Sequence, residues 1–178
     1  MDPADELTNK MEDHGLWEKK LTLSRNEYLK TAGSVDTNIY YVMEGALRVF
    51  LIAESEEHTI RFGYKGSLLS ALDSFLTERP SDLYIQALRE TKLKVAAKSS
   101  LRNFVAASPQ HLQMKCRILE MFVRQSIERE RDLLTSSPIK RYKRVLKRSP
   151  QLFQEVPHKY IASYLRMAPE TLSRMKKP

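Results

Sequence analysis

Hydrophobic residues in the first half of the sequence alternate with polar ones in short runs, the period-two pattern of half-buried β-strands. The segment NIYYVMEGALRVF, which starts at Asn38, has β-branched and aromatic residues on both sides of Glu44-Gly45. This arrangement predicts two strands joined by a tight turn in which Gly45 adopts a positive φ. Further alternating runs end at Tyr64, Ala87 and Ala97. Several short strands that close on one another predict a small antiparallel barrel or roll.

The spacing becomes helical after Pro109 and stays so to Ser136, without glycine or a further proline. One helix of about 25 residues is predicted here, with apolar positions on two faces. The first face is a heptad-like seam formed by Leu112, Cys116, Leu119, Val123, Ser126, Glu130 and Leu133. The second face contains Ile118, Met121, Phe122 and Ile127. One face can pack on the roll and the other on a second copy of the helix, which predicts a homodimer through residues 112–133. A helix packed only on its own roll remains the alternative, because Ser126 and Glu130 are polar.

The segments that flank these two regions complete the predicted organisation, whose fold class is α+β. Leu16 to Leu29 predict one or two short helices or irregular turns. Ser137 is placed to cap a basic helix that has Pro138 at its first position and stops at Ser149-Pro150. We therefore predict three units, residues 1–108, 109–136 and 137–178.

The segment YIASYLRMAPETLSRMKK, which starts at Tyr160, has the spacing of a helix-turn-helix. Such a pair needs apolar residues where its helices cross, a small residue at the closest approach, and a short first helix. The residues predicted to face inward are Ile161, Ala162, Leu165, Met167, Leu172 and Met175. Pro169 suits the first turn of the second helix, because its missing N–H would have no partner there. Arg166 occupies a turn position where left-handed backbone favours glycine, and Ala168 is a poor N-cap.

The outward face of the second predicted helix is polar. Glutamate can accept a hydrogen bond from a cytosine amino group, arginine can bind guanine through two hydrogen bonds, and lysine can neutralise phosphate. These properties predict a DNA-binding face, although an amphipathic helix pair in a bundle would have the same apolar spacing. The candidate DNA-binding residues are Lys159, Pro169, Glu170, Thr171, Ser173, Arg174, Lys176 and Lys177.

The charge distribution supports this interpretation. The chain has a formal net charge of +8, yet residues 1–108 carry 14 basic against 16 acidic side chains, and residues 109–178 carry 16 against 6. Such asymmetry is typical of a polyanion-binding segment joined to a module with another role. A basic surface that is merely solvated would give the same count.

The chemistry-bearing residues exclude several classes of site. Cys116 is the single cysteine, so one chain cannot form an intrachain disulfide or an iron–sulfur cluster held by several cysteines, and in the seam it is predicted to be a small core residue. The four histidines are predicted to be surface residues, and no metal site is predicted. No paired carboxylates, nucleophile motif or phosphate loop supports an enzyme. The acidic, polar first residues and the lack of a long apolar stretch predict a cytoplasmic protein without a membrane segment.

The order of roll, long helix, basic helix and helix-turn-helix resembles the cyclic-AMP receptor and fumarate-nitrate regulator (Crp/Fnr) family of bacterial transcription factors. The resemblance is carried by APETLSRMKK and YYVMEGALRVF and spans Leu16 to Lys177. It implies a jelly-roll domain like those that bind cyclic nucleotides, a coiled-coil dimer helix and a C-terminal DNA-binding domain of winged-helix type. It also implies that Glu170 and Arg174 contact bases and that RNA polymerase is a partner. Pro169 departs from the family, in which a basic residue often precedes the glutamate.

The family resemblance also locates a ligand-binding cassette, in which cyclic-AMP receptors have Gly-Glu followed about ten residues later by Arg-Ser or Arg-Thr. The corresponding positions here are Ser70-Ala71 and Ser81-Asp82, so the anchoring charges are missing, and Arg79 is two residues out of register. Cyclic AMP is therefore not the expected effector, and an unknown small molecule or no effector is expected instead; no cofactor is predicted. The candidate ligand-binding residues are Gly66, Ser70, Ala71, Arg79, Ser81 and Asp82.

Two functional classes remain open from the sequence. The first is a dimeric transcription regulator that binds a nearly palindromic DNA site. The second is a ligand-sensing or protein-interaction module whose affinity for DNA is incidental.

Overall fold

The computed structural model of the chain describes residues 3–176. Two four-stranded antiparallel sheets form the N-terminal half, with strand orders β1-β8-β3-β6 and β2-β7-β4-β5. The strands are β1 (Lys19–Leu23), β2 (Tyr28–Lys30), β3 (Asn38–Glu44), β4 (Ala46–Ala53), β5 (Glu56–Tyr64), β6 (Leu68–Leu69), β7 (Tyr84–Ala87) and β8 (Thr91–Ala97). The predicted jelly-roll fold is confirmed, but as two facing sheets with free edges rather than as a closed barrel.

The turn at Glu44-Gly45 is confirmed as the connection between β3 and β4. Gly45 has a φ of 97°, and a Cβ at this position would lie 2.4 Å from the carbonyl oxygen of Glu90. Both the backbone conformation and the close approach require glycine. Buried residues of both sheets fill the space between them, among them Tyr40, Leu47, Ile85 and Leu93.

The prediction of helices or turns for Leu16 to Leu29 is wrong, because this segment contains β1 and β2. Lys19–Leu23 pairs with β8 from Lys19 opposite Val95 to Leu23 opposite Thr91. Pairing with a distant strand decides the conformation here, since β-propensity depends on cross-strand neighbours more than on the local sequence.

Helices cover one end of the roll and form the C-terminal half. They are α1 (Pro3–Asp13), α2 (Leu72–Thr77), α3 (Lys98–Ala106), α4 (Pro109–Leu134), α5 (Pro138–Arg148), α6 (Leu152–Glu155), α7 (His158–Tyr164) and α8 (Pro169–Lys176). The 26-residue α4 confirms the predicted long helix, and the hydroxyl of Ser108 caps it by accepting from Gln110 N. Pro138 is at the first position of α5, and the Ser137 hydroxyl accepts from Lys140 N, as predicted.

One face of α4 packs on the roll and the other is exposed. Met114 and Ile118 are buried in a cluster with Leu7 and Met11 of α1. The seam residues Leu112, Leu119, Val123 and Leu133 are between 40% and 58% exposed in the single chain, and Cys116 is exposed with them. The prediction of Cys116 as a core residue is therefore wrong for the isolated chain.

The helix-turn-helix unit shares a hydrophobic core with the roll. Ala46 and Leu88 of the roll are buried in one cluster with Val145, Ile161 and Leu165, and Phe62 and Tyr64 of β5 pack against it. No strand lies between residues 137 and 176, so no wing accompanies the helices in this stretch. None of the helices within residues 3–176 has the length and apolar character needed to span a bilayer.

Candidate nucleic-acid interface

The helix-turn-helix packs as the sequence predicts. Ile161, Ala162 and Leu165 are completely buried, and Leu172 of α8 is 1% exposed. Met167 and Met175 are partly buried against the same cluster. Helix α7 ends at Tyr164 after two turns, and the N–H of Met167 donates to the Ala162 carbonyl across the turn. The apolar spacing thus fixes the two helices in a defined crossing.

The turn between α7 and α8 is held by a residue that the sequence pattern did not reveal. Arg166 has a φ of 50°, the left-handed conformation expected from its position. The buried guanidinium of Arg141 in α5 donates to the Arg166 carbonyl at 3.1 Å and to the Thr135 carbonyl at 2.8 Å. The bond to the Arg166 carbonyl supports this turn, whose left-handed conformation costs a non-glycine residue about 1 kcal/mol, and the bond to Thr135 fixes the arginine itself. The basic character of α5 had indicated only a charged surface.

The outward face of α8 is open to solvent. Pro169, Glu170, Ser173 and Arg174 are exposed, and Thr171 is half-buried. Glu170 lies in the first turn of α8, where the positive end of the helix dipole favours a carboxylate. Glu170 and Arg174 are four residues apart, so they lie side by side on this face.

The remaining candidate DNA-binding residues are lysines. Lys159 is exposed in the first turn of α7, with its ammonium 4.6 Å from the centre of the Tyr160 ring. Lys176 ends α8, and Lys177 lies outside the described residues. Lys159 thus stands on the first helix of the pair, apart from the face that α8 presents.

An ionic cluster fixes α5 against the C-terminal end of α4. Asp132 is completely buried, and its carboxylate accepts from Arg144 at 3.1 Å and from Arg148 at 2.5 Å. Glu128 accepts from Arg144 as well, at 2.9 Å. Burial by itself lowers the pKa of Arg148, but the hydrogen bond that Arg148 donates to Asp132 and the charge of that carboxylate together outweigh burial, and the pKa is raised. The cluster thereby fixes α5, the helix that precedes the helix-turn-helix, against α4.

A second set of contacts fixes α7 on the exposed edge of the sheet. Strand β5 lies at the edge and has an extra residue, Ile60, opposite the step from Val49 to Phe50. The N–H of Thr59 donates to the Ser163 hydroxyl at 3.2 Å, and that hydroxyl donates to the Glu57 carbonyl at 3.2 Å. Backbone groups that an edge strand leaves free are therefore paired with the helix-turn-helix unit.

Arginine and aromatic side chains surround this contact. The guanidinium of Arg129 lies 3.7 Å from the centre of the Tyr164 ring and donates to the Thr59 carbonyl at 3.3 Å. Arg48 lies 4.4 Å from the centre of the Tyr160 ring. Burial lowers the pKa of Arg129, because the guanidinium has lost part of its hydration. The Tyr164 ring and the Thr59 carbonyl replace some of the lost water contacts.

The candidate ligand-binding residues lie around β6, α2 and the loop that leads to β7. Ala71 is completely buried next to the start of α2, Ser70 is half-buried and Ser81 is 1% exposed. Gly66 lies apart in the turn after β5, where its N–H donates to the Val42 carbonyl at 2.9 Å. Arg79 and Asp82 are exposed. Both of these charged side chains thus lie in solvent, away from the buried Ser81.

Lys30 fixes this loop from inside. It is 4% exposed, and its ammonium donates to the carbonyls of Ser81 at 3.1 Å, Leu83 at 2.9 Å and Thr31 at 2.9 Å. Since an ammonium has three N–H donors, all of them are engaged. Burial lowers the pKa of Lys30, and nearby carboxylates, Asp73 first among them, partly oppose that shift. A buried lysine among the strands was not predicted, because residues 28–30 were not assigned to the sheet.

Histidine and acidic side chains do not form a metal-binding group in the described part of the chain, where no three His, Cys, Asp or Glu residues come together. His111 stacks on Phe104 with ring centres 3.8 Å apart, and His14 lies edge-on to His111 at 5.3 Å. His14 is exposed as predicted, whereas His111 is half-buried by this stacking.

Comparisons with known proteins agree with this architecture. Residues 20–108 match the cyclic nucleotide-binding domain family, which is half of the chain. No relative is found among curated protein sequences. FixK2 from Bradyrhizobium japonicum superposes with a TM-score of 0.71 at 17% identity, over 88% of this chain and 81% of that one. The Catabolite Activator Protein of Thermus thermophilus gives a TM-score of 0.61 at 20% identity, over 97% and 84%.

A third solved structure extends the likeness to nearly the whole of both chains. The regulator CLP of Xanthomonas campestris, described as responsive to c-di-GMP, gives a TM-score of 0.68 at 12% identity, over 96% of this chain and 90% of that one. Identities in this range establish the fold and leave ligands undecided. The chain belongs to the cyclic nucleotide-binding domain family, and its fold is that of the Crp/Fnr-type regulators that it resembles in sequence.

Proposed function

We propose that this protein is a DNA-binding transcription regulator of the Crp/Fnr type that acts as a homodimer on a nearly palindromic site. The observation that carries the proposal is the exposed polar face of α8, with Glu170, Ser173 and Arg174, on a helix whose other face is sealed in a core by Leu172. Packing therefore explains the apolar residues of this helix, and the polar residues remain free to contact a partner. Glutamate and arginine one turn apart match the donors and acceptors of base edges in the major groove.

The dimer is proposed on the exposed seam of α4. A 26-residue helix that leaves Leu112, Leu119 and Val123 at least 40% exposed carries more apolar surface than a single subunit can cover. A second copy of α4 would bury this stripe along a two-fold axis and present two α8 helices to successive major grooves, about 34 Å apart. Residues 112–133 are thus the proposed interface, with residues 1–108 and 137–178 as the units on either side.

Control by cyclic AMP is not part of the proposal. A cyclic phosphate needs a cationic or N–H anchor, whereas the basic side chain of the candidate loop, Arg79, is exposed and the ammonium of Lys30 is already saturated. If a small effector binds at Gly66, Ser70, Ala71, Arg79, Ser81 or Asp82, its chemistry differs from that of a cyclic nucleotide. A cytoplasmic location and RNA polymerase as the downstream partner follow from the same proposal.

The test is selection of bound duplexes from random DNA by the purified protein without added ligand, followed by affinity measurements on the selected site. The expected result is a nearly palindromic site with two half-sites about ten base pairs apart. Arg174→Ala should lose about 1–3 kcal/mol per half-site and its preference at one base pair. Arg102→Ala, which removes an exposed arginine from α3, is the matched control and should bind as the wild type does.

A wild-type protein that binds all duplexes equally weakly would favour the alternative of a ligand-sensing or interaction module. Unchanged specificity in Arg174→Ala would show that α8 does not contact bases. Addition of cyclic AMP to the same assay is expected to leave the affinity unchanged.

A further inference from the structure

The six basic residues of α5 divide by residue type between its two faces. All three arginines are paired: Arg141, which is buried, with the Arg166 and Thr135 carbonyls, and the half-buried Arg144 and the exposed Arg148 with the carboxylates of Glu128 and Asp132. The three lysines, Lys140, Lys143 and Lys147, are exposed. Their ammonium groups make no hydrogen bond or salt bridge with any part of the chain between residues 3 and 176. We call these three residues the lysine row.

The lysine row does not stabilise the helix that carries it. Its members are three and four residues apart, so they lie on one stripe of α5, where like charges repel one another by a few tenths of a kcal/mol per pair. Lys140 is also in the first turn, where the helix dipole disfavours a cation. Neither packing nor ion pairing within the described residues accounts for the row, and its clustered positive charge suits a polyanion.

The spacing of the row fits a nucleic-acid backbone. The rise of an α-helix places Lys140 and Lys147 about 10 Å apart along the axis of α5. One strand of duplex DNA carries a phosphate about every 3.4 Å of helix axis, so about three phosphates cover the same length.

The lysine row begins close to the turn that leads into α8. Arg141, which follows Lys140 in the sequence, donates to the carbonyl of Arg166 at 3.1 Å, and Arg166 lies in the turn that leads into α8. Arg166 itself is exposed, and the N-terminal end of such a helix is the part that enters the major groove. If α8 enters a major groove, the DNA backbone beside that groove would pass close to the first turn of α5.

We propose that Lys140, Lys143 and Lys147 bind the phosphates of DNA that flanks the bases contacted by α8. This inference rests on the proposed function and adds to it a second, sequence-independent contact surface on a different helix. The arginines of α5 hold the helix in place, and the lysines supply the charge that meets the duplex.

The test compares the full-length wild type with Lys140→Gln/Lys143→Gln/Lys147→Gln on the selected duplex over a range of salt concentrations. If each lysine neutralises one phosphate, the slope of log K against log salt should fall by about 2.7 per subunit, while the order of preference among sequences stays the same. A duplex shortened to the two half-sites should remove most of the difference between the two proteins. The triple variant is expected to unfold at the same denaturant concentration as the wild type or higher, since it loses only repulsion.

The matched control is Lys19→Gln/Lys20→Gln/Lys65→Gln, which removes three exposed lysines from the roll and leaves the net charge equal to that of the first variant. Its salt slope should equal that of the wild type. An unchanged slope in the α5 variant, or an equal drop in both variants, would overturn the proposed binding of phosphates by the lysine row and leave the proposed function intact. Lack of sequence preference in the wild type overturns both.

Discussion

At the scale of single residues, Asp132 and Lys30 show how buried charge fixes the functional parts of the chain. The carboxylate of Asp132 binds two arginines of α5, and the ammonium of Lys30 binds two carbonyls of the candidate ligand loop, those of Ser81 and Leu83. In each case the partners are separated from the buried charge in the sequence and belong to a neighbouring element. Neither residue was singled out by its sequence pattern, because a charged residue on a helix or strand is usually exposed.

Replacement of Asp132 by alanine should destabilise the protein by about 2–3 kcal/mol, because Arg144 and Arg148 would lose their buried carboxylate and keep only Glu128 as a counter-charge. Urea unfolding followed by circular dichroism measures the change. Glu120→Ala removes an exposed carboxylate from the same helix, outside the seam, and should change the free energy of unfolding by less than about 0.5 kcal/mol. Equal losses in the two variants would contradict the assignment of Asp132 as the fixing residue.

Because Lys30 is buried, the stability of the folded protein is expected to depend on pH. Burial lowers its pKa in the folded protein, while the unfolded chain keeps the ordinary value of about 10.4. Between those two values the unfolded state binds more protons, so the contribution of Lys30 to the free energy of unfolding rises with pH. The stability of the wild type relative to Lys30→Met should therefore be greater at pH 10 than at pH 7.5.

Urea unfolding at the two pH values measures this difference, and the comparison cancels the titration of the other lysines and tyrosines. Lys20→Met, at an exposed position of β1, is the control and should show the same difference from the wild type at both pH values. A wild-type advantage over Lys30→Met that stays constant or falls at pH 10 would contradict the effect of burial.

At the scale of elements, α4 combines a buried face and an exposed face in one helix. Its heptad-like seam was predictable because seven positions at steps of four and three are a long-range periodic signal. The single chain leaves that seam uncovered, with Val123 at 58% exposure. A C₂ dimer would place each seam residue near its own copy in the second subunit.

Cys116 is a natural probe of that arrangement. As an exposed seam residue and the single cysteine of the chain, it should form an intersubunit disulfide under mild oxidation, because residues at the centre of a two-fold helix pair approach within disulfide distance. Non-reducing electrophoresis should show a band at twice the chain mass of 20.7 kDa.

Cys116→Ser/Arg124→Cys moves the thiol to an exposed position outside the seam and should give little of this product. A protein that elutes as a monomer, or that crosslinks equally well from position 124, would contradict the dimer through α4.

Features that depend on nearby residues were predictable from the sequence, whereas features that depend on residues far away along the chain were not. Gly45 in its turn, the cap at Ser137 and the buried face of α7 and α8 are set by neighbours within a few residues, and the sequence indicated all of them. Strand β1 was missed because its conformation depends on β8, some 70 residues away, and α1 had no predicted structure because its apolar residues are few. The contact of Arg141 was missed for the same reason, because it joins α5 to the turn between α7 and α8, 25 residues away in the sequence.

At the scale of the whole molecule, the roll and the helix-turn-helix are joined by one core. Leu88 of the roll is 5% exposed within the cluster that contains Ile161 and Leu172. A unit that completes its core with residues of another unit does not unfold independently of it. The two halves are therefore expected to unfold in a single transition.

Leu88→Ala should reduce the free energy of unfolding by about 2–4 kcal/mol through the lost contacts and the cavity left behind. The fluorescence of Trp17, in the roll, and the helical circular dichroism signal should change at the same urea concentration in both proteins. Leu76→Ala, at a leucine that is 58% exposed, is the matched control and should cost less than about 0.5 kcal/mol. Two separate transitions, with only the helical one shifted by Leu88→Ala, would contradict the shared core.

The position of α7 on the edge of β5 also protects the protein from self-association. Ser163 and Arg129 occupy backbone groups of Thr59 that would otherwise be available to a strand from another molecule. Any movement that lifts α7 away would uncover a strand edge flanked by the apolar side chains of Phe62 and Tyr64. Displacement of the C-terminal helices is therefore coupled to a risk of aggregation, and solubility at high concentration becomes a measure of how firmly they stay in place.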